Sequence, residues 1–195
     1  MHFILTLLLA AKLCVPYVEY TAEDVQIVGD VGWLENGSTG KTEDENRQVI
    51  IATMAVFVNR MKSGEWGGKT AKAVLNMKGQ YASKTRNNVG KVETPAWVYD
   101  LAEEILMYGS NVPEYVIYQS MQPQLGTQWK VIAGEYFATS KGHYMGGKDV
   151  VIETNKQLYL KQCFEEFKKT IMKGLKKYRK TIKIKQKVLT NEVTA

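Results

Sequence analysis

Between Val49 and Val58 the chain reads Val-Ile-Ile-Ala-Thr-Met-Ala-Val-Phe-Val. On a helix these side chains point in almost every direction, and a helix with no solvent face must be enclosed by other elements. Its start is written in Thr42-Glu43-Asp44-Glu45, a capping box in which the threonine hydroxyl and the Glu45 carboxylate satisfy orphan backbone donors. The pattern predicts a central helix running to about Met61 and ending on Asn59-Arg60. At 195 residues, 45% of them hydrophobic, the chain is long enough to wrap one such core.

The wrapping elements can be read around it. Thr21 and Asp24 open a second helix, along which Val25, Ile27, Val28, Val31 and Leu34 recur at helical spacing. "SGEWGGK" is a loop, and Thr70 to Met77 reads as a short helix. Thr94 stands as N-cap before Pro95 at the first helical position of "AWVYDLAEEILMY", which Gly109 terminates. The pattern then turns to β type. Tyr115 to Tyr118 and the run from Trp129 through Phe137 flank "QPQLGTQ" and predict a small antiparallel sheet or hairpin. The fold class is therefore α+β, mostly helical.

From Leu158 onward, Leu160, Phe164, Phe167, Ile171, Leu175, Tyr178 and Ile182 step by three or four with lysines between them, a basic amphipathic C-terminal helix. Residues 161–187 hold eleven Lys or Arg against two Glu, a charge of +9, while the rest of the chain carries 15 basic and 18 acidic residues. This extension reads as a solvated packing helix, as an anchor on anionic wall polymer or membrane surface, or as a nucleic-acid contact. Nucleic acid is the weakest reading, because Tyr178 is the only aromatic in the most basic stretch. The last residues, "LTNEVTA", read as frayed.

The opening "MHFILTLLLAAKLC" has an apolar run of signal-peptide length without a preceding Lys or Arg. Residues 1–18 read equally as a signal peptide or as an N-terminal helix. The domains are then 1–18, a core domain 19–149 and the basic extension 150–195. Two distant cysteines, Cys14 and Cys163, suggest neither a disulfide framework nor a metal site, and His2 and His143 are too few for a zinc cluster. No metal or cofactor is expected.

One carboxylate is out of place. Counting 100° per residue from Val25, Val28 and Val31 lie near 300° and 240°, and Glu35 falls near 280°, on the apolar face. Desolvation there would raise its pKa toward the range of a proton donor at neutral pH. The polar loop that follows, Asn36-Gly37-Ser38-Thr39-Gly40, would leave it reachable. A solvated helix terminus is the plainer alternative.

The stretch "ENGSTGKTEDENRQVIIATMAVFVNRM" resembles the opening of the SleB/CwlJ type of cell-wall hydrolase, an apolar helix ending in Glu-Ala-x-Gly-Glu, then Gln-Val-Ala-Val and Asn-Arg. Glu35 stands at the first glutamate, Gln48-Val49 at the Gln-Val and Asn59-Arg60 at the Asn-Arg. Gln80-Tyr81 in "AVLNMKGQYAS" matches the family's Gln-Phe, "TPAWVYDLAEEIL" its later helix, and "VIYQS" its strand carrying Tyr-Phe-Asn. "WKVIAGEYF" resembles its closing Trp…Ile-Gly-x-His-x-Phe, with Glu135 where the family has histidine and His143 a shifted counterpart. The loop after Glu35 is longer than the family's, and the second glutamate has no fixed counterpart beyond Glu43 or Glu45.

The resemblance implies a lysozyme-like domain that cleaves the MurNAc-β-1,4-GlcNAc bond of peptidoglycan glycan strands. It implies lytic transglycosylation, in which the muramyl 6-hydroxyl attacks and one glutamate, Glu35, serves first as acid and then as base. Gln80, Tyr81, Tyr118 and Trp129 suit a sugar cleft, though Tyr81 and Trp129 suit a core equally. Asn59 and Arg60 would cap helix carbonyls or support Glu35 from behind, and Glu135 reads as a solvated strand residue. Such a protein would act outside the cell or in the wall, or on a host wall if phage-encoded. The rival reading is a non-catalytic wall- or membrane-associating protein on the same scaffold.

Overall fold

The computed structural model describes residues 15–37, 40, 42–122, 127–139 and 151–193, with side chains to Lys176. The expectations for residues 1–14, Ser38, Thr39 and His143 lie outside these. The chain divides into two compact units, Pro16–Lys156 and the pair of segments 1–15 and 157–195.

The larger unit is built on the central helix. Helix α1 (Ala22–Asn36) and helix α2 (Glu43–Ser63) both begin with complete capping boxes, at Thr21 with Asp24 and at Thr42 with Glu45. From Val49 to Met61 every residue of α2 is buried, as its all-round apolar sequence requires. It stops at Gly64, whose φ of 71° is the left-handed cap that glycine tolerates. Helix α3 (Ala71–Asn76) is capped by Thr70. The spare oxygen of Asp24, Oδ1, also accepts from the Ala71 backbone N–H at 2.7 Å, so one carboxylate ties the first turns of α1 and α3.

Helix α4 (Ser83–Asn88) was not legible in the sequence: it is short, polar and lacks a side-chain cap. Helix α5 (Ala96–Tyr108) buries Val98, Leu101, Ala102, Ile105 and Leu106, one stripe of an amphipathic helix, and ends at Gly109. Thr94 does not cap it. Pro95 is the N-cap residue, and the Thr94 hydroxyl instead donates to Asp30 of α1 at 2.7 Å.

Strands β1 (Val116–Ser120), β2 (Thr127–Ile132) and β3 (Glu135–Thr139) form an antiparallel sheet in the order β1-β3-β2. The run from Trp129 to Phe137 supplies two of the three strands, β2 and β3, so of the expected small sheet or hairpin it is a sheet that forms. Ala133 and Gly134, with φ of 51° and 89°, make the two-residue hairpin loop between them, whose positive dihedrals match the twist of paired strands. Residues 151–156 belong to this unit. Ile152 is buried, the Asn111 and Asn155 backbone N–H groups donate to Glu153 and Gly109 carbonyls, and Lys156 pairs with Glu104 at 2.7 Å. The architecture is α+β.

Helix α1 approaches its neighbours closely at two glycines. A Cβ at Gly29 would lie 2.6 Å from the Tyr99 ring, and one at Gly32 would lie 2.6 Å from Cγ of Met54. The ring is held, because the Tyr99 hydroxyl donates to Asp30, whereas the methionine chain can rotate away. Gly29→Ala is therefore expected to cost about 2 kcal/mol in urea unfolding, with Gly32→Ala distinctly milder. Equal losses would show that the Tyr99 ring yields as readily as Met54.

The other unit contains helix α6 (Lys156–Val193), nearly all of it beyond the boundary. Its backbone stays helical to Val193, so most of "LTNEVTA" is helix rather than frayed end. In this unit the Tyr159 hydroxyl donates to the Val15 carbonyl at 3.2 Å.

Candidate active site

Glu35 occupies the last turn of α1 and is half-buried, not enclosed as its place on the apolar face predicted. The helix ends one residue later, so the carboxyl emerges where packing against α2 gives way to loop. Its Oε1 accepts from the hydroxyl of Thr85, a buried residue of α4, at 2.5 Å. The helix that sequence reading missed therefore supplies the hydrogen bond that orients the leading candidate.

Asn59 and Arg60 do not cap α2. Strand β1 carries a bulge, since Val116 faces Thr139 while Tyr118 faces Ala138, and Ile117 is left unpaired. The Arg60 Nε–H donates to the freed Ile117 carbonyl at 2.8 Å, and Asn59 Nδ2 donates to the Pro113 and Val116 carbonyls at 2.9 and 3.0 Å. The pair stitches the central helix to the strand. Arg60 extends further: its guanidinium lies 4.6 Å from the Trp66 ring centroid, and Nη1 donates to the Tyr81 hydroxyl at 3.0 Å.

Tyr81 is half-buried and packs on Phe57 with ring centroids 5.5 Å apart. Burial pushes its phenol up to about 12, Arg60 opposes that shift and the nearby negative charge of Glu35 adds to it. Tyr81 thus stays a neutral donor with Arg60 on one side and Glu35 close by. Tyr118 joins through Trp66, the two rings meeting edge to face at 5.7 Å. Trp129 is the extra residue of a second bulge, between the Gln128–Ala138 and Lys130–Phe137 pairs, and packs against the core. Gln80 lies in the turn before Tyr81, where its backbone N–H donates to the Met77 carbonyl at 3.3 Å. Tyr81 lies near Glu35 and joins Arg60 to it through their hydrogen bond, and Tyr118 is linked to Arg60 through Trp66, whereas the contacts of Gln80 and Trp129 described above do not reach Glu35.

Glu135 is not a solvated strand residue. It is 6% exposed at the start of β3, on the face shared with buried Ile132 and Phe137. Burial raises its pKa, a hydrogen bond from Gln119 opposes this, and the charge of Glu35 raises it further. The charge of Glu35 thus reaches Glu135 from a distant part of the chain. The sequence signal was weak: strand alternation places residue 135 with residue 137, which is core, but the hairpin loop had to be recognised first.

A carboxyl that holds its proton more tightly when folded contributes stability at pH below its unfolded pKa, and that contribution is lost as pH rises through its folded pKa. Glu135→Gln keeps an amide partner for Gln119 and removes the titration. We expect the variant to lose less stability than wild type between about pH 4 and pH 7, measured by thermal unfolding. Parallel curves would show that burial does not hold the Glu135 proton.

Two cavities lie elsewhere. One of about 640 Å³ sits at the opposite end of α1, lined by Tyr17, Tyr20, Asp24, Met61, Lys62 and Lys69 among others. The other, about 390 Å³, lies along α5 between Tyr20, Glu103, Glu104 and Lys156. Neither includes Glu35. The chain matches no protein-family profile, no curated protein and no solved structure.

Proposed function

We propose that Pro16–Lys156 is a lysozyme-like, peptidoglycan-cleaving domain of the kind that the SleB/CwlJ resemblance implies, with Glu35 as general acid and base. The observation that carries this reading is the setting of Glu35: Thr85 donates it a hydrogen bond, and its charge acts on Tyr81, which Arg60 holds, and on Glu135. A half-buried carboxyl oriented by a neighbouring hydroxyl and left with a reachable face is what protonating a glycosidic oxygen requires. Glu35 gives its proton to the leaving 4-oxygen as the bond from the muramyl anomeric carbon breaks. The resulting carboxylate then takes the proton of the muramyl 6-hydroxyl as that oxygen closes on the anomeric carbon, leaving a 1,6-anhydro end and a restored acid. Water plays no part in this sequence, so one carboxyl suffices. Tyr118 and Trp129 offer aromatic faces suited to pyranose rings.

The test is mass spectrometry of soluble products from purified vegetative and spore-cortex peptidoglycan. Anhydro-muramyl ends from wild type are the expected result. Reducing muramyl ends would replace transglycosylation by hydrolysis and bring Glu135 in as the second carboxyl. No release from either material would overturn the reading in favour of a non-catalytic wall-associating protein.

A further inference from the structure

Helix α6 runs unbroken for 38 residues, about 57 Å at 1.5 Å per residue. Leu160, Phe164, Phe167, Ile171 and Leu175 fall within an arc of about 80° on it. Four of these five side chains are open to solvent, Phe164 56% and Leu175 47% exposed, and Phe167 is half-buried. A helix gains nothing in water from a continuous apolar seam left bare, so the seam has a covering surface.

Charge decides what that surface is. Between residues 157 and 193 the sequence holds eleven Lys or Arg and three Glu, a net +8. Lys168 and Lys169 lean on Glu165 and Glu166 at 3.1 and 2.7 Å, while Lys161, Lys173 and Lys176 form no ion pair among the described residues. The Lys168 ammonium also lies 4.7 Å from the Phe164 ring, so the cation caps the edge of the stripe with its methylenes alongside. A second copy of the helix would bring like charges together along its whole length. Nucleic acid would pair the lysines and leave the stripe bare. Among the described residues no helix is long and apolar enough to cross a membrane.

We propose that α6 lies flat on an anionic lipid surface, with the Leu160–Leu175 stripe at the acyl boundary and the flanking lysines on the head groups. The occupant is a bilayer face, not a folded partner. Both halves of the helix chemistry are then used at once. The proposal is independent of the glycan-cleaving reading and holds whether or not Glu35 is catalytic.

The test uses the full chain and sedimentation with vesicles of phosphatidylcholine containing about one third phosphatidylglycerol, against phosphatidylcholine alone. We expect at least about tenfold stronger binding to the anionic vesicles, weakening with added salt. The triple variant Phe164→Ser, Ile171→Ser, Leu175→Ser keeps every charge and is expected to lose about tenfold or more of that binding. These side chains are exposed, so circular dichroism should match wild type. Undiminished binding by the triple variant would overturn the proposal, because attraction elsewhere in the chain would then suffice. So would failure to bind anionic vesicles alongside retention of duplex DNA, or alongside self-association that the triple variant abolishes.

Discussion

Asp30→Ala is expected to destabilise the Pro16–Lys156 unit by about 4 kcal/mol, the largest stability loss from any single truncation described in this structure. Asp30 is fully buried in α1 and accepts three hydrogen bonds of 2.7 Å. They come from the Gly90 backbone N–H, the Thr94 hydroxyl and the Tyr99 hydroxyl, so one carboxylate holds the 90–94 turn and the first turn of α5 against α1. Hydrogen bonds to a charged group contribute about 1.5–3 kcal/mol each, part of which is offset by the cost of burying the charge. Removing it strands three donors at once.

Asp30→Asn should be nearly as damaging. An amide oxygen can still accept from Thr94 and Tyr99, but the amide nitrogen then faces the Gly90 N–H, donor against donor. Tyr99→Phe removes one bond of the three and is expected to cost about 1–2 kcal/mol. Urea unfolding of the three variants, with mutual coupling read from the Asp30/Tyr99 double variant, checks this. A loss below about 1 kcal/mol for Asp30→Ala would mean that water enters and replaces the carboxylate.

Glu35→Gln is expected to lower glycan release by about 10²–10⁴-fold without loss of stability. The amide oxygen can still accept from Thr85, so the local fold is kept, while an amide cannot serve as the acid and base of the proposed reaction. Thr85→Val leaves the acid but removes its orienting donor, and a smaller loss of turnover is expected. Initial rates on solubilised glycan strands, with unfolding midpoints as control, separate the two. Full activity in Glu35→Gln would move the proton donor elsewhere, and Glu135 is then the carboxyl to replace next.

Much of the helical scaffold was legible because helix starts and stops are local chemistry. Thr21 with Asp24, Thr42 with Glu45, Thr70 and Gly109 each act within one turn of their own chain. The burial of α2 was equally local in its signature, since no arrangement of neighbours could leave Val49–Val58 a solvent face. Glu35 could be singled out by periodicity for the same reason. What sequence spacing could not supply was its degree of exposure, which depends on how far α4 covers the end of α1.

Tertiary structure alone decided the rest. Thr94 has the local credentials of an N-cap, yet a buried carboxylate from α1 outcompetes the helix end for its hydroxyl. Asn59 and Arg60 could be placed at the end of α2, but their partners are carbonyls in and just before β1, more than fifty residues on, one of them, Ile117, freed by a bulge that no local rule places. Glu135 reads as solvated until the loop at Ala133-Gly134 sets the strand phase, because a one-residue change of phase turns every side chain to the other face. By itself the sequence determined where α1 and α2 begin, which helix is central and where positive charge accumulates, all properties summed over near neighbours. The hydrogen bond between Glu35 and Thr85, and the reach of the Glu35 charge to Glu135, required three segments to come near one another in space, and only the fold brings them there.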